Sequence, residues 1–577
     1  MTPDFVEMAV RAGRSFAGQT LFDLDLRGRN LAGADFARAQ IARARFEGAN
    51  LTGASFEGAR VIGFRAKGAN LEGANLKEAV LAMADLGAAR LANADLTGAA
   101  LPNANLAGAD LTGARLVRAI LVGATLPGVS LRGLDLTGAH FDKARLAGAD
   151  LSGTTIVEAT FCDADLTGAK LCGATLRDAA FASAKLAQAD LTGATLEGVM
   201  LSKADLRGAK LPRKMQRTML RGALLTGADF MGADLNLSDL GGMDLSGMDL
   251  SGASLTGSSL SGAKLGGANL RGAKLERCIL SKCDLTGADF QGARVYMCIL
   301  SEAVLRGVDL SGHELTAVVF DKADLTGANL SGAQIERSTF AEAKLDGVNL
   351  TRAMLKGVIL RKATVDGLIM EKATFTSVDF SEVDLKQLRL RGMTMHRCLF
   401  KEADMMGMDL SGGDFTDCNF IETDLRKATF EGSILQRAKF MGARLELASL
   451  HEANAKGAFF GEAVLQGAKL TKAMLRNATF TDADMAHCNL GGSDLRESVL
   501  IRARAQNAAF VGARLDFADL SHADVSSADF RDASLLRANL HAVRDKGALF
   551  TGATLIGVRR TDLDRLEAEA WMPPQDP

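Results

Sequence analysis

One Trp, one Tyr and seven Pro in 577 residues are too few for the mixed aromatic cores of several ordinary domains, although the length would allow them. A surplus of one charge is missing as well. Lys+Arg 67 against Asp+Glu 69 leaves a net charge of -2, which excludes a global field for nucleic acid or an anionic membrane. No run approaches the ~18 apolar residues of a membrane helix. The opening stretch MTPDFVEMAVRAGRSF offers no apolar segment fit for a signal peptide. The eight Cys lack paired close spacing, so reduced thiols are expected rather than a disulfide framework. No nucleophile elbow, phosphate loop or zinc-ligand spacing appears. These absences predict a cytoplasmic protein that is not an enzyme, holds no cofactor or metal, inserts in no membrane and does not bind nucleic acid.

What the chain does have is a period of five. From Phe16 to Leu211, and again from Leu220 to Leu555 with Asp545 the one exception, an apolar centre recurs at every fifth position, as in LEGANLKEAVLAMAD from Leu71. A small residue, mostly Ala, stands two before each centre. Asp or Asn often stands just before it, and Gly two after. Neither a helix nor plain strand alternation has this period. A coil that turns at every repeat does. Pro102, Pro127 and Pro212 each follow a central Leu, and Leu126-Pro127-Gly128-Val129 fits a type II turn, with Gly where φ is positive. Phe320, Phe340, Phe380, Phe400, Phe420, Phe440, Phe460 and Phe480 fall twenty apart, with Leu360 interrupting. Phe141, Phe161 and Phe181 repeat that spacing, as do Phe510, Phe530 and Phe550. Twenty residues are four repeats, so each coil has four sides, and Phe stacks on Phe one strand spacing, ~4.8 Å, above.

ADLTG at Ala94–Gly98 and ANLEG at Ala69–Gly73 carry a resemblance to the pentapeptide-repeat family, whose motif is similar to A-[DN]-L-x-G. The resemblance covers Phe16 to Leu555. It implies an all-β fold, a right-handed quadrilateral parallel β-helix of about 27 coils, with centre and small residue pointing inward. At ~4.8 Å per coil that would be a rod of roughly 130 Å. Open sheet ends need caps. Residues 1–15 are expected to form an N-terminal capping helix, with Thr2 as N-cap, Pro3 at the first position and Phe5, Met8 and Ala9 on one face. Residues 559–577 are expected to form a C-terminal capping helix and frayed tail. There Thr561 is the expected N-cap, with Leu563, Leu566 and Ala570 facing the coil. Between the repeat segments 16–211 and 220–558, PRKMQRT reads as an exposed basic loop. It is either a four-residue insertion or a one-residue deletion.

Exceptions to the pattern bear on chemistry. Phe64 replaces the usual Ala, and the next centre is Ala66, a trade that conserves volume. Ala455 and Ala505 are centres without such compensation, so cavities or inward shifts are expected. Cys278, Cys298, Cys398 and Cys418 occupy the small inward position of one side, and substitution for Ala outweighs a metal or redox role. His313 is expected to be a satisfied inward imidazole. His522 and His541 are expected neighbours across coils.

Only outward positions can meet a partner. Glu382, Glu402 and Glu422 share one twenty-residue column, extended by Glu302, Glu342, Glu462 and Asp482. Asp384, Asp404 and Asp424 share the column two residues on, with Asp484. Together they form a candidate acidic face. The preceding side carries Ile279, Ile299, Val319, Ile359, Leu399 and Phe459, with Arg277, Met297, Arg337, Arg397 and Arg437 two residues earlier. Aliphatics plus Arg resemble interface composition. The corners around 397–502, where Gly is lost, are expected to be less regular than those at 222–272. The sequence thus points to a rigid rod-like scaffold that binds a protein partner, which a second copy could be. Two alternatives follow from the resemblance: a DNA mimic that binds gyrase or another topoisomerase, and a bacterial secretion-associated accessory or effector. Aligned carboxylates could also take a cation, but nothing in the pattern encloses them.

Overall fold

In the computed structural model, which describes residues 2–571, the five-residue period closes as four short sides per turn. The residue before each centre pairs in parallel with the residue twenty positions on: Asn30 with Asn50, Asp35 with Ser55, Thr339 with Ile359, Lys344 with Thr364. The fold is a parallel β-solenoid with a short helix near each end of the described chain. Contacts divide it into two units, one ending at Arg294 and one beginning at Val295, each built from the same coil.

Burial follows the repeat. Leu and Phe centres and the Ala two before them are almost all inaccessible to solvent. Phe141, Phe161 and Phe181 stack at 4.8 and 4.7 Å. Phe400, Phe420, Phe440, Phe460 and Phe480 stack at 4.8–5.0 Å. The Asp/Asn preference has a separate cause. On the sides that pair through a single bridge, the N–H just after the centre has no partner in the ladder. An Asp or Asn before the centre accepts it, as Asp110 Oδ1 does from Thr112 N at 3.0 Å and Asp309 Oδ1 from Ser311 N at 2.9 Å. These are Asx turns.

Those turns make the fold acid-sensitive. Hydrogen bonds from the Thr112 hydroxyl and N–H hold the Asp110 carboxyl below its ordinary range, and bonds from Ser311 do the same for Asp309. A carboxyl depressed on folding stabilises fully above its unfolded pKa of about 4 and loses that contribution as pH falls toward the folded value. The β-signal in circular dichroism is expected to hold down to about pH 4 and to fall below it. Asp309→Asn keeps the acceptor and should remove its share of that loss.

Most corners are turns closed by a hydrogen bond, such as Val129 N to Leu126 O at 3.4 Å with Gly128 at φ +64°. Loss of Gly does not disorder them. Arg397, Glu402, Glu422 and Glu462 hold φ between 56° and 60°, so the expectation of irregular corners from 397 to 502 does not stand. Regularity varies instead by side. Glu314–Thr316, Gln334–Glu336, Met354–Lys356, Thr374–Thr376 and Thr394–His396 are extended and paired in register. The wider corner after each lacks the turn hydrogen bond.

The break at 212–219 is not a loop. Lys214–Gln216 is a strand, with Lys214, Met215 and Gln216 beside Thr195, Leu196 and Glu197. That coil has nineteen residues. Met215, fully buried, is a centre four residues after Leu211, so one residue is deleted and the interior continues.

Side-chain size at the small inward position decides whether the ladder holds. Val348 is tolerated, with Ile369 N bonded to Val348 O at 2.9 Å. Phe64 is tolerated beside Ala66, with both ladder bonds to Asp85 at 2.8 Å. Ala455 and Ala505 also keep their bonds. Uncompensated Leu24 and Met393 also keep their pairings, but in three places large or crowded residues do not fit. Around Val129 and Leu134 the pairings of Asp110 with Ser130 and of Arg115 with Asp135 are missing. At Met243 and Met248 those of Leu224 with Asp244 and of Asp229 with Asp249 are missing. At Leu368, Leu388 and Met408 those of Ile369 with Arg389 and of Arg389 with Asp409 are missing. Overfilling a packed interior displaces backbone, and here the coils part.

The caps differ from expectation. Helix α1, Pro3–Arg11, has Thr2 as N-cap, its hydroxyl accepting from Phe5 N at 3.3 Å. It buries Val6 and Ala9, whereas Phe5 and Met8 are exposed. Helix α2, Leu563–Ala570, is capped by Asp562, not Thr561, and the Thr561 hydroxyl accepts from Ala542 N. A one-residue shift rotates a helix by about 100°. Leu563 and Leu566 are exposed, and α2 buries no residue. The tail expected beyond Trp571 lies outside the described residues.

Candidate functional site

The outward columns form where the sequence places them. In the second unit Ile299, Val319, Thr339, Ile359, Asp379, Leu399, Asn419, Lys439 and Phe459 follow one another in an unbroken parallel ladder. Ile299, Ile359, Leu399 and Phe459 are 40%, 44%, 40% and 48% exposed. Polar residues alternate with them, so the surface is a row of apolar studs rather than a sheet of oil. Met297, Arg337, Arg397 and Arg437 occupy the corner before it, each left-handed at φ 49–56°. Arg437 is bound through two nitrogens to Asp417 at 2.7 and 2.8 Å. Arg337 and Arg397 have no ion pair among the described residues. Arg277 and exposed Ile279 take the same positions in a coil of the first unit.

The acidic face is aligned but neutralised. Asp384, Asp404 and Asp424 pair in sequence along one ladder, and Glu382, Glu402 and Glu422 stand at the left-handed corner. Arg361 and Lys362 reach Glu382 at 2.8 and 3.2 Å. Lys401 lies 3.3 Å from Glu402 and 3.9 Å from Glu422. Lys386 binds Asp404, and Arg426 holds Asp424 at 2.6 Å. These cations set the titration: Arg361 and Lys362 lower Glu382, Arg426 lowers Asp424, and Asp404 raises Lys386. Exposed pairs of this kind add little stability, but they cancel the field an anion-like surface would need.

The inward thiols behave as donors. Cys418 Sγ lies 2.8 Å from Met395 O, and Cys488 Sγ lies 2.9 Å from Leu465 O. Burial pushes Cys418 well above the ordinary thiol range and Cys488 up to about 12, so neither forms the thiolate that nucleophilic or redox chemistry requires. Ser433 and Thr423 occupy equivalent positions and donate to Leu410 O and Phe400 O in the same way. His313 is half-buried, with Nδ1 3.1 Å from Ser311 O.

His522 and His541 are neighbours, with rings crossed at 5.4 Å. A residue the spacing could not reveal joins them. Glu569 of α2 lies with Oε2 3.0 Å from His522 Nε2 and 3.2 Å from His541 Nε2, and Arg565 holds its other oxygen at 2.6 Å. These three ligand atoms sit close enough together to hold a cation. The local hydrogen bonds favour a latch instead. His541 Nδ1 accepts the Asp562 N–H at 3.1 Å, which leaves its proton on Nε2, aimed at the carboxylate. Because no residue of α2 is fully buried and Leu566 is only partly covered, this polar cluster is a principal fastening. Arg565 first, then His541, lowers Glu569, so the attachment weakens as pH falls below about 4. Glu569→Gln is expected to release α2, read as faster amide exchange at Leu566–Ala570 with the coils unchanged.

The described chain is thus a solenoid whose charged side chains lie mainly on open faces, many of them paired with one another. Models of pentapeptide repeats match residues 21–58, 54–91 and further tandem stretches through 513–544, and a pentapeptide repeat region matches 273–350. The chain belongs to the pentapeptide-repeat family, and these models indicate no catalytic class. No curated protein matches it. Among solved structures it is similar to HetL, a pentapeptide repeat protein involved in heterocyst differentiation regulation from the cyanobacterium Nostoc sp. strain PCC 7120, at 25% identity. That likeness covers 44% of this chain and 89% of HetL, with a TM-score of 0.22. It is similar to QnrB1, a plasmid-mediated fluoroquinolone resistance protein, at 20% identity over 34% of this chain and 98% of that one, TM-score 0.21. A PL6 family alginate lyase, AlyGC, matches at 10% identity over 97% and 99% of the two chains, TM-score 0.21. Scores this low carry no argument about activity.

Proposed function

We propose that this chain is a non-enzymatic scaffold that binds a protein partner along the side of the second unit from Met297 and Ile299 to Phe459. The reading rests on an unbroken ladder in which half-exposed Ile299, Ile359, Leu399 and Phe459 recur among polar residues, beside Arg337 and Arg397, which form no ion pair among the described residues. Arg, Met and aromatic residues are the types enriched at interface cores. A stud that seats in a partner's pocket acts as a hot spot, worth about 2 kcal/mol or more. Ile359→Glu is therefore expected to weaken capture of the partner by roughly 30-fold without moving the thermal midpoint, because the side chain points outward. Crosslinking mass spectrometry on the intact chain in cell extract is the test. Crosslinks concentrated on the Glu382–Asp424 face, or unaffected by Ile359→Glu, would sink the proposal. The alternative of a duplex-like acidic surface has less support, since cations neutralise most of its carboxylates. A gyrase supercoiling assay is expected to be insensitive to the protein.

A further inference from the structure

The parted coils around Leu388 do more than break a pattern. Between Val365–Lys372 and Asp384–Arg391 the N–H groups of Val365, Gly367, Met370, Lys372, Asp384 and Arg389 have no hydrogen-bond acceptor among the described residues. On either side the ladder closes again. Lys362 N reaches Ser381 O at 3.3 Å, and Thr374–Thr376 pairs in register with Thr394–His396. Beyond the bridge of Asp384 with Asp404, Lys386–Leu390 is also detached from the coil above: the N–H groups of Gln387 and Leu390 find no carbonyl there. Its own turn remains, with Leu388 N bonded to Leu385 O at 2.9 Å.

Gln387 marks the place. In every other five-residue repeat from Phe16 to Leu555 the residue two after the centre is left-handed, and Gln387 alone is not. Leu368, Leu388 and Met408 supply the cause, three large side chains in successive coils where Ala is the rule. The result is a cleft of about 720 Å³ lined by Leu368, Ile369, Met370, Gln387, Arg389 and Arg391, together with Glu371 and Lys372. Arg389 and Lys372 have no ion pair among the described residues, Arg391 is 3.5 Å from Asp409, and Glu371 is the one acid in the lining.

Unpaired main-chain donors, a strip of apolar side chains and a surplus of cations are what an extended acidic peptide requires. Backbone pairing supplies its affinity, alternate side chains enter the apolar strip, and its carboxylates meet Lys372, Arg389 and Arg391. We infer that this cleft, on the side of the coil opposite the Ile299–Phe459 column, binds an extended acidic segment of another protein by strand addition. The site is independent of the scaffold surface proposed above, and either can fail alone.

The test uses the full chain and a fluorescein-labelled eight-residue peptide of alternating Glu and Val, followed by anisotropy. A Lys–Val peptide of the same length is the control. Saturable binding of the acidic peptide alone is expected, weakened tenfold or more by Arg389→Glu. The double variant Gln387→Gly, Leu388→Ala restores the left-handed corner and the small inward residue, and should abolish binding while folding normally. Amide exchange at Val365, Met370 and Arg389 should be fast in the parent chain, slowed by the peptide and slowed by the double variant. Equal binding of both peptides, full binding by the closed variant, or parent-chain protection equal to that of Leu345 and Leu350 would each overturn the inference.

Discussion

Phe420→Ala is expected to be among the most damaging single substitutions in the chain. Its ring stacks on Phe400 at 4.9 Å and Phe440 at 5.0 Å, and meets Phe415 and Phe430 edge-on at 6.1 and 5.9 Å. All five rings are fully buried. Truncating a buried Phe costs about 3–5 kcal/mol through lost transfer energy and the cavity left behind, and the aromatic pairs add to that. A solenoid couples each coil mainly to its neighbours, so the damage should be local. Amide exchange is expected to accelerate over the coils from about 395 to 445 and to change little near Phe141 or Phe530. Uniform acceleration along the chain would show that cooperativity extends much further than nearest neighbours.

Leu388→Ala is expected to act in the opposite direction. Truncation of a buried Leu normally costs about 2–5 kcal/mol. Here the Leu overfills a position sized for Ala, and strain of that kind costs about 1–3 kcal/mol. Leu388 is almost buried, so some transfer energy is lost, yet relief of strain and closure of the ladder should outweigh it. A rise in thermal midpoint is predicted, larger when Gln387→Gly is added. A fall by the usual amount would mean that crowding does not part the coils.

The two substitutions show how unevenly the structure could be read from the chain. The Phe ladder needed only the twenty-residue spacing, because period, stacking and number of sides are one geometric fact. The crowding at Leu368, Leu388 and Met408 was visible in the same spacing, as a column of large residues where Ala belongs, but its consequence depends on how far backbone can yield. The one-residue deletion was open in the sequence because either register keeps an apolar centre inside. Burial of Met215 decides it. The helix faces were ambiguous for a similar reason. Phe5 and Met8 offer more apolar area than Val6 and Ala9, yet the first coil accepts the smaller pair. Glu569 had no signal at all, since its partners lie 28 and 47 positions earlier, with His522 and His541 in coils.

The candidate faces were legible as columns but not as charges. Spacing placed Glu382, Glu402 and Glu422 together, whereas their neutralisation depends on side-chain reach from Arg361, Lys362 and Lys401. Cation and carboxylate of adjacent columns meet because coils sit one strand spacing apart. A face read by counting like charges therefore overstates its field.

The nineteen-residue coil at Met215 separates two properties that a regular repeat hides. Removing one residue leaves the outward columns in line and asks only that one corner tighten. Inserting one whole repeat would be the reverse. Every centre and every small residue would still find its place, and nothing in the interior would register a fault. Yet each column beyond the insertion would advance by a quarter turn, and residues that had faced a partner together would look in different directions. For this chain, conservation of the motif and conservation of orientation are different constraints, and a lineage could lose its binding surface by a duplication that leaves the fold intact.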